Sequence, residues 1–456
     1  MEETKKSPTP LPKLKSFVVL LAMFIEAMCN AVLFPFVAYM VADFFYWLDR
    51  DDKDTDGIVS FYSGLVVSCF NLAQFISAPT WGWISDRIGR RPVILLGLLG
   101  NVITAPLFGI APTYLWAVIF RCLNGLANGN TGIIRAYATE ITDVTNSAKL
   151  FSYMGISWGV GITIGPSIGG SLSRISEKIP SVFSSDGFFS DHPYFLPMLA
   201  SSFISLIVLI VGYYVLDETN KKTKTKKSIL LLCKNKHFLI CAVIYAMTGL
   251  LFTSFSEVFT FWCRALKSNG GLGWNDESNV GIVQSFGGGS IMISQIFVVP
   301  WACNYFGILS TLKIAWVILI PFFIILPNIY VIEGIALWII VISIFVSIAV
   351  FQSCVFTAVT IGINNSLEPS LLGTGNGVAQ SAISLLRFLG PALAGAIFGW
   401  SLNNGLSYPM NSHLIFILFA IIGICCIILL IGLDKNINKR KVEADILVPL
   451  LNKEKQ

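Results

Sequence analysis

About twelve apolar stretches of roughly 18–25 residues run through the chain, and no other feature constrains its fold as strongly. A helix of that length crosses about 30 Å of hydrocarbon. The stretches lack the polar–apolar alternation of a membrane barrel, and helices are otherwise the only spanning structures that satisfy every backbone group in lipid. With 55% hydrophobic and 12% charged residues, the sequence predicts an all-α polytopic membrane protein with twelve transmembrane helices.

The apolar stretches form two groups of six, separated by a lysine-rich segment. Spans 1 to 6 are predicted at about residues 17–45, 61–81, 93–111, 114–137, 151–172 and 194–216, and spans 7 to 12 at about 238–262, 280–302, 311–329, 334–358, 374–400 and 412–433. We therefore predict a cytoplasmic N-terminal tail, a six-helix bundle, a basic cytoplasmic linker, a second six-helix bundle and a cytoplasmic tail, over residues 1–16, 17–216, 217–237, 238–433 and 434–456. WISDRIG at residues 83–89 lines up with WACNYFG at 301–307, and GPSIGG at 165–170 echoes GPALAG at 390–395. This internal similarity predicts two six-helix pseudo-repeats.

The distribution of basic residues predicts the orientation of the chain. Most of the 31 lysines and arginines lie in the tails, in the linker and in the loops on their side of the membrane, so the positive-inside rule places both termini in the cytoplasm. The sequence leaves open whether the membrane is the plasma membrane or a vacuole-like endomembrane. Because the positive charge is concentrated there, the net charge of +5 favours a lipid bilayer, and not nucleic acid, as the partner.

A charged turn between spans 2 and 3, residues 82–92, has two interpretations. It could serve only as a topology anchor. Alternatively it is a conformational gate in which Asp86 lies against the N-terminus of span 11, where a helix dipole favours an anion by about 0.3–1 kcal/mol. Glu140, just after span 4, is predicted to pair with the arginines of the turn. The predicted gate residues are Gly82, Asp86, Arg87, Gly89, Arg90, Arg91 and Glu140.

Span 5 carries glycines at every fourth position, which form one stripe on a helix. Such a stripe allows a neighbouring helix to approach closely, and the proline within it bends the span. Residue chemistry alone predicts only tight packing here. The residues of this motif are Gly161, Gly165, Pro166, Gly169 and Gly170.

Three motifs, each in the expected span, resemble those of the major facilitator superfamily. Residues 82–92 resemble its loop signature G-x-x-x-D-R-x-G-R-R/K, Arg121-x-x-x-Gly125-x-x-x-Gly129 looks like its span-4 motif, and residues 161–170 look like its span-5 antiporter motif. Looser matches, among them HPYFLP at 192–197 and GTGNG at 373–377, are similar to the zinc-induced facilitator-like group and to drug–proton antiporters. The resemblance implies a monomeric secondary transporter that moves a small molecule or ion by alternating access, with its site near mid-membrane between the halves.

Ionisable residues within the spans are the sharpest functional candidates, because each costs several kcal/mol unless it is paired or hydrated. We predict that Glu26, Arg121 and Glu257 take part in proton coupling, with Glu26 as the carboxylate that carries the proton. A structural ion pair would explain any one of them equally well. The candidates for the substrate cavity are Asn30, Gln74, Asn124, Asn128, Trp158, Gln284, Gln352, Gln380 and Arg387.

Cofactor and metal chemistry is not predicted. The three histidines and ten cysteines show no ligand spacing, and the sequence has no Walker-A pattern for ATP. We expect a protein that is not an enzyme, needs no cofactor, and couples protons to the opposite movement of a small solute. A facilitative uniporter or a proton symporter on the same fold, and a non-transporting membrane sensor, are the alternatives.

Overall fold

The structure is a computed structural model that describes residues 9–46, 53–142, 146–184, 187–219, 232, 234–367 and 372–438. Its regular structure over these ranges is helical. A π-helical segment, Ser294–Val298, joins two of the helices. The α-helices of the described residues are α1 (Lys13–Ala31), α2 (Val37–Phe44), α3 (Lys53–Ile88), α4 (Arg90–Gly109), α5 (Tyr114–Ala127), α6 (Asn130–Glu140), α7 (Ser147–Leu172), α8 (Ile175–Lys178), α9 (Phe188–Asp191), α10 (Phe195–Val215), α11 (Lys236–Arg264), α12 (Glu277–Ile293), α13 (Val299–Phe306), α14 (Ile308–Ile325), α15 (Gly334–Ser366), α16 (Leu372–Asn403) and α17 (Leu414–Ile431).

Ten stretches of the described helices are long and apolar enough to cross a membrane. Predicted span 4 corresponds to α5 and α6, which have only 14 and 11 residues because the helix is interrupted at Asn128 and Gly129. Predicted span 5 corresponds to α7, which has 26 residues but is not among the ten. The chain is an all-α polytopic membrane protein, as its apolar stretches predict.

Several spans have bounds that differ from the predicted ones, and spans 1 and 2 are two of them. Span 1, predicted over residues 17–45, is divided into α1 and α2 by a turn at residues 32–36 that contains Pro35, a residue without a backbone N–H for the helix. Span 2, predicted from residue 61, begins earlier, because α3 starts at Lys53. The charged residue Asp56 is therefore part of a helix.

The described residues form two compact units. The first lies within Met1–Trp47, Leu65–Thr223 and Trp274–Met292, and the second within Leu48–Gly64, Lys224–Gly273 and Ile293–Gln456. Each unit thus includes one segment from the opposite half of the sequence. Of the predicted linker, residues 220–231 and 233 lie outside the described residues, as do residues 1–8 and 439–456 of the tails.

Helix pairing within each unit positions the polar groups of the spans. In the first unit α1 packs against α7, and α4 against α10. In the second, α11 packs against α16, and α14 packs against α15 and α17. Residues of α1 such as Val18, Ile25 and Met28 form one core cluster with Leu98 of α4 and Ile134 of α6. Because α1 is covered by several helices, its residue Glu26 lies inside the unit.

Candidate functional site

Glu26 of α1 lies at one end of a chain of hydrogen bonds inside the first unit. Its side chain is completely buried. Asn128 Nδ2 donates to Glu26 Oε2 at 2.8 Å, and Gln74 Nε2 of α3 donates to Asn128 Oδ1 at 3.2 Å. The structure therefore brings together three of the residues that the sequence singled out, one from each of three spans.

The other carboxyl oxygen of Glu26, Oε1, is buried and makes no hydrogen bond of normal geometry, although the Asn130 side chain lies near the carboxyl group. A buried polar atom without a partner is uncommon and costs free energy. In this position the oxygen can carry a proton or accept a hydrogen bond from a bound molecule. Glu26 is thus a carboxyl group with one oxygen held by an amide and the other available for chemistry.

The break between α5 and α6 places the Asn128 side chain beside Glu26. Asn128 ends α5 with φ −98° and ψ 89°, which are not helical values. Gly125, one turn earlier, packs so closely on α3 that a Cβ atom would lie 2.9 Å from the Cβ of Ala73. The glycines that resemble the span-4 motif therefore bring α5 against α3, on which Gln74 lies.

Arg121 lies on α5 in the same unit. It is almost fully buried, its guanidinium lies 4.3 Å from the centre of the Phe70 ring, and its Nη1 lies 3.5 Å from Asn124 Oδ1. Asn124 in turn donates to Asn101 Oδ1 at 2.9 Å. Asn124 lies four residues before Asn128, the hydrogen-bond partner of Glu26. The acid and the base of the predicted proton-coupling set therefore occupy one region of the first unit.

The remaining cavity candidates of the first unit have simpler surroundings. Asn30 donates to the Glu26 carbonyl oxygen at 2.7 Å, a contact within one helix. Trp158 of α7 packs against the hydrophobic core cluster. Gln284 of α12 is buried.

The second unit holds the other set of predicted site residues. Glu257 of α11 is completely buried. Tyr245, twelve residues earlier on the same helix, donates to Gln380 Oε1 at 3.4 Å. Since twelve helical residues span about 18 Å, Glu257 lies at a different depth along α11 from Tyr245.

Arg387 and Gln380 both lie on α16, which packs against α11. The Arg387 guanidinium lies 5.9 Å from the centre of the Phe356 ring, and that ring meets Tyr245 edge to face at 5.9 Å. Gln352, on the same helix as Phe356, is half-buried. The second unit therefore combines a cation, an amide and aromatic rings between α11, α15 and α16.

The charged turn joins α3 and α4 through a glycine in the left-handed region. Gly89 has φ 110°, and a Cβ atom there would overlap the carboxylate of Glu218. That carboxylate accepts hydrogen bonds from the backbone N–H groups of Arg90, at 2.9 Å, and Arg91, at 3.2 Å. An acidic side chain thus occupies the positive end of the α4 dipole.

Side chains of the turn make further contacts on the same face. Arg90 Nε lies 3.1 Å from Glu140 Oε1, and the Arg91 guanidinium donates to the Tyr213 carbonyl oxygen at 2.6 Å. The Arg87 guanidinium stacks 3.7 Å from the Trp83 ring. Gly82 faces open space. The Asp86 side chain lies outside the described residues, so its predicted contact with span 11 stays a prediction.

Sequence reasoning missed Glu218 and Asp217 at the end of span 6. Glu218 holds the start of α4, and Asp217 Oδ2 lies 2.6 Å from Lys15 Nζ. The hydrogen bond and the charge of Lys15 lower the pKa of Asp217. Two adjacent acids that follow an apolar span and face a basic turn were the signal that could have identified this pair.

The glycine stripe of α7 presses directly on the backbone of α1. A Cβ at Gly161 would lie 2.5 Å from the Phe24 carbonyl oxygen, and one at Gly165 would lie 2.8 Å from that of Met28. Gly169 makes the same approach to Val32. Pro166 lies inside the helix, and Gly170 faces α12. The stripe therefore packs on both sides of the α1 turn that carries Glu26.

Charged pairs at helix ends form a further group that the sequence did not identify. They are Asp56 with Arg264, Glu277 with Lys178, and Asp43 with Arg174, with shortest nitrogen–oxygen distances of 2.7, 3.2 and 2.6 Å. Among the described residues, no group of three or more His, Cys, Asp or Glu side chains could hold a metal ion.

Comparison with known proteins identifies the family. The model of the Major Facilitator Superfamily matches residues 19–391. The protein Zinc Induced Facilitator-Like 1 of Arabidopsis thaliana is 30% identical over 447 residues, which cover 92% of each chain. The major facilitator superfamily multidrug transporter mfsB of Aspergillus fumigatus is 26% identical over 494 residues, covering 87% of this chain and 80% of that protein.

Solved structures share the fold. The crystal structure of a D-xylose–proton symporter matches with a TM-score of 0.70 at 14% identity, over 94% of this chain and 100% of that one. At this identity the match bears on the fold alone. The family matched in sequence consists of transporters and not of enzymes. The chain therefore belongs to the major facilitator superfamily and is a multi-pass membrane protein that acts as a secondary transporter of a small-molecule substrate.

Proposed function

We propose that the protein is a proton-coupled antiporter that moves a small organic solute by alternating access. The observation that carries the proposal is Glu26, which is fully buried, has one oxygen on Asn128 and has the other without a hydrogen bond of normal geometry. A carboxyl group in this position can take up and release a proton, and a cationic or hydrogen-bonding group of the substrate can replace that proton.

The surroundings of Glu26 support coupling of the carboxyl group to helix movement. The stripe that resembles the antiporter motif packs its glycines on α1 at Phe24, Met28 and Val32, the segment that carries Glu26. Asn128 reaches Glu26 from the break between α5 and α6. A shift of α7 or of this break therefore changes the contacts of the carboxyl group.

The names of the relatives support an organic solute. One is a multidrug transporter and another is an efflux pump. We extend the proposal to two six-helix bundles over residues 17–216 and 238–433, both termini in the cytoplasm, and a monomer in the plasma membrane or a vacuole-like endomembrane. Arg121 and Glu257 would assist proton transfer, and the polar candidates in each bundle would contact the substrate.

Flux in proteoliposomes tests the proposal. The purified protein is reconstituted, a pH gradient is imposed, and solute and proton movements are followed with a panel of cationic drugs, organic anions and divalent metals. An antiporter moves protons against the direction of solute. Glu26→Gln keeps an oxygen for Asn128 but cannot carry a proton, so it should abolish accumulation and leave downhill exchange. Glu333→Gln, an exposed pair partner of Lys267, is the matched control.

Four outcomes would contradict the proposal. Accumulation that persists in Glu26→Gln would show that another group carries the proton. Solute that equilibrates without proton flux in the unaltered protein would make it a uniporter, and proton movement in the same direction as solute would make it a symporter. Binding of a solute without any flux would support a sensor.

A further inference from the structure

The second unit contains a buried ion pair at the start of α3. Asp56 Oδ1 lies 2.7 Å from Arg264 Nη1, and the two side chains are only 4% and 8% exposed. Asp56 Oδ2 also accepts a hydrogen bond from the Leu266 backbone N–H at 3.2 Å. Truncation of one partner of such a buried pair is strongly destabilising.

The first unit contains a corresponding pair at the start of α12. The side chain of Glu277 is 1% exposed, and its Oε1 lies 3.2 Å from Lys178 Nζ. The same ammonium donates at 2.7 Å to the carbonyl oxygens of Gly170 and Ser173 at the end of α7. Lys178 thus satisfies carbonyl groups that a helix end leaves unpaired, and at the same time it binds the acid on α12.

Close backbone packing accompanies each pair. Beside the first, a Cβ atom at Gly57 of α3 would lie 2.9 Å from the Gly399 carbonyl oxygen of α16. Beside the second, a Cβ atom at Gly170 of α7 would lie 3.0 Å from the Cα of Gly281 on α12. At Gly170 the nearest atoms all belong to the backbone of α12, and at Gly57 the Asn403 side chain is in contact together with the Gly399 backbone. Each ion pair therefore lies next to a tight helix contact.

The two pairs have the same pattern in the sequence. In each, the acid opens the second span of one half, and the base follows a span of the other half. Asp56 comes from the first half and Arg264 from the second, whereas Glu277 comes from the second half and Lys178 from the first. Both acids lie at the end of their span opposite the turns at residues 83–89 and 301–307, which is the predicted outer side.

We propose that Asp56–Arg264 and Glu277–Lys178 are two ionic latches that hold the outer ends of spans 2 and 8 to the opposite half of the sequence. This inference rests on the proposed alternating-access function. When a transporter built from two repeats opens outward, contacts of this kind must separate. The four residues are positioning residues, because they set the equilibrium between conformations without contacting the substrate.

Thiol labelling without substrate tests the first latch. Ser60 of α3 is 3% exposed, so a cysteine there should react slowly with a membrane-impermeant charged maleimide in nanodiscs. Asp56→Asn should accelerate labelling of Ser60→Cys at least tenfold, after subtraction of the same variant without that cysteine. The exchange of both charges, Asp56→Arg with Arg264→Asp, should restore slow labelling. Glu333→Gln breaks the exposed pair with Lys267 and should change nothing.

The second latch supplies an independent variant if Asp56→Asn does not fold. Lys178 is 22% exposed, and when Glu277 is changed it keeps its two carbonyl partners and Asp276, whose Oδ1 lies 3.6 Å from its Nζ. Glu277→Gln is therefore the milder change. Val280 of α12 is fully buried, and Val280→Cys is its reporter. Labelling that accelerates at least tenfold in Glu277→Gln supports the proposal, and labelling at the unaltered rate overturns it.

The labelling result separates failure of the latches from failure of the proposed function. Faster labelling of the latch variants, combined with no proton-coupled flux in the unaltered protein, would support the latches and refute antiport. Normal flux combined with unaltered labelling in both Asp56→Asn and Glu277→Gln would overturn the latches and leave antiport in place.

Discussion

Substitution of Gly161 tests whether the glycine stripe of α7 positions the helix that carries Glu26. A Cβ atom at Gly161 would lie 2.5 Å from the Phe24 carbonyl oxygen, 2.6 Å from the Ala27 Cβ and 2.9 Å from the Met28 backbone nitrogen. All three atoms belong to the backbone of α1 or to a short side chain, so none can rotate away. In Gly161→Ala, α7 and α1 must move apart.

The magnitude follows from two opposing terms. Overpacking of a tight contact costs about 1–3 kcal/mol, and the absence of any flexible neighbour at Gly161 favours the upper half of that range. Alanine is also a better helix former than glycine by about 1 kcal/mol. We expect a net destabilisation of about 1–2 kcal/mol for Gly161→Ala. Gly132 of α6 has no atom within 4 Å of an added Cβ, so Gly132→Ala should gain up to about 1 kcal/mol.

Unfolding in mixed micelles with increasing SDS measures both variants under one set of conditions. The free energies of unfolding should differ by about 1–3 kcal/mol, with Gly161→Ala the less stable. Flux should fall in Gly161→Ala and stay unchanged in Gly132→Ala, because only the first displaces the α1 segment around Glu26. If the two variants are equally stable, the close approach of α7 to α1 is not a constraint and the reasoning fails.

Three further predictions concern single contacts. Glu218→Ala removes the anion at the start of α4 and should lower the midpoint of thermal unfolding, whereas Glu218→Gln, which keeps one acceptor, should lower it less. Asn128→Ala removes the donor to Glu26 and should move the pH dependence of flux without abolishing binding of solute, as a pH series of initial rates would reveal. The hydrogen bond and charge of Lys267 lower the pKa of Glu333. The pair of Glu333 and Lys267 therefore contributes stability above the ordinary pKa of a glutamate, and this contribution is lost as the pH falls through the lowered value. Denaturation curves of the unaltered protein and of Glu333→Gln should therefore converge in acid.

The apolar stretches predicted the helices well because lipid leaves the backbone few alternatives. The ends of the spans were harder to predict. Span 2 was expected to begin after the acidic segment, since charges usually lie outside hydrocarbon, but α3 includes Asp56. Its charge is paired with Arg264, which is 208 residues away. Because this long-range ion pair compensates the charge of Asp56, the helix need not begin after that residue. No local sequence pattern reveals the pair.

The residue types of the candidate site could be predicted from the sequence, but the contacts between those residues could not. Glu26 stood out because it is an acid within an apolar run. Its partner Asn128 became a neighbour only because α5 ends there, and the sequence predicted one continuous span over residues 114–137. Polar residues on a helix can face a partner, lipid or a cavity, and their spacing does not decide among these. The contacts of side chains at a helix break are the hardest to predict from spacing.

The internal repeat extends to a contact that sequence similarity did not suggest. In the first unit Glu218, just after span 6, accepts hydrogen bonds from the start of α4, next to Gly89 with φ 110°. In the second unit Asn438, just after span 12, accepts a hydrogen bond from the Leu309 backbone N–H at 3.1 Å near the start of α14, next to Gly307 with φ 79°.

In both units, therefore, the segment after the sixth span of a half accepts hydrogen bonds from the start of the third span. The glycine before that third span leaves room for the accepting side chain. The first unit uses a carboxylate and surrounds it with arginines, whereas the second uses a neutral amide beside the aromatic turn at residues 301–307. The backbone N–H groups that a helix start leaves unpaired are common to both halves, which explains why an acceptor is present in each. The negative charge of Glu218 in the first half has a separate role, because it compensates the positive charge of the basic turn at residues 87–91.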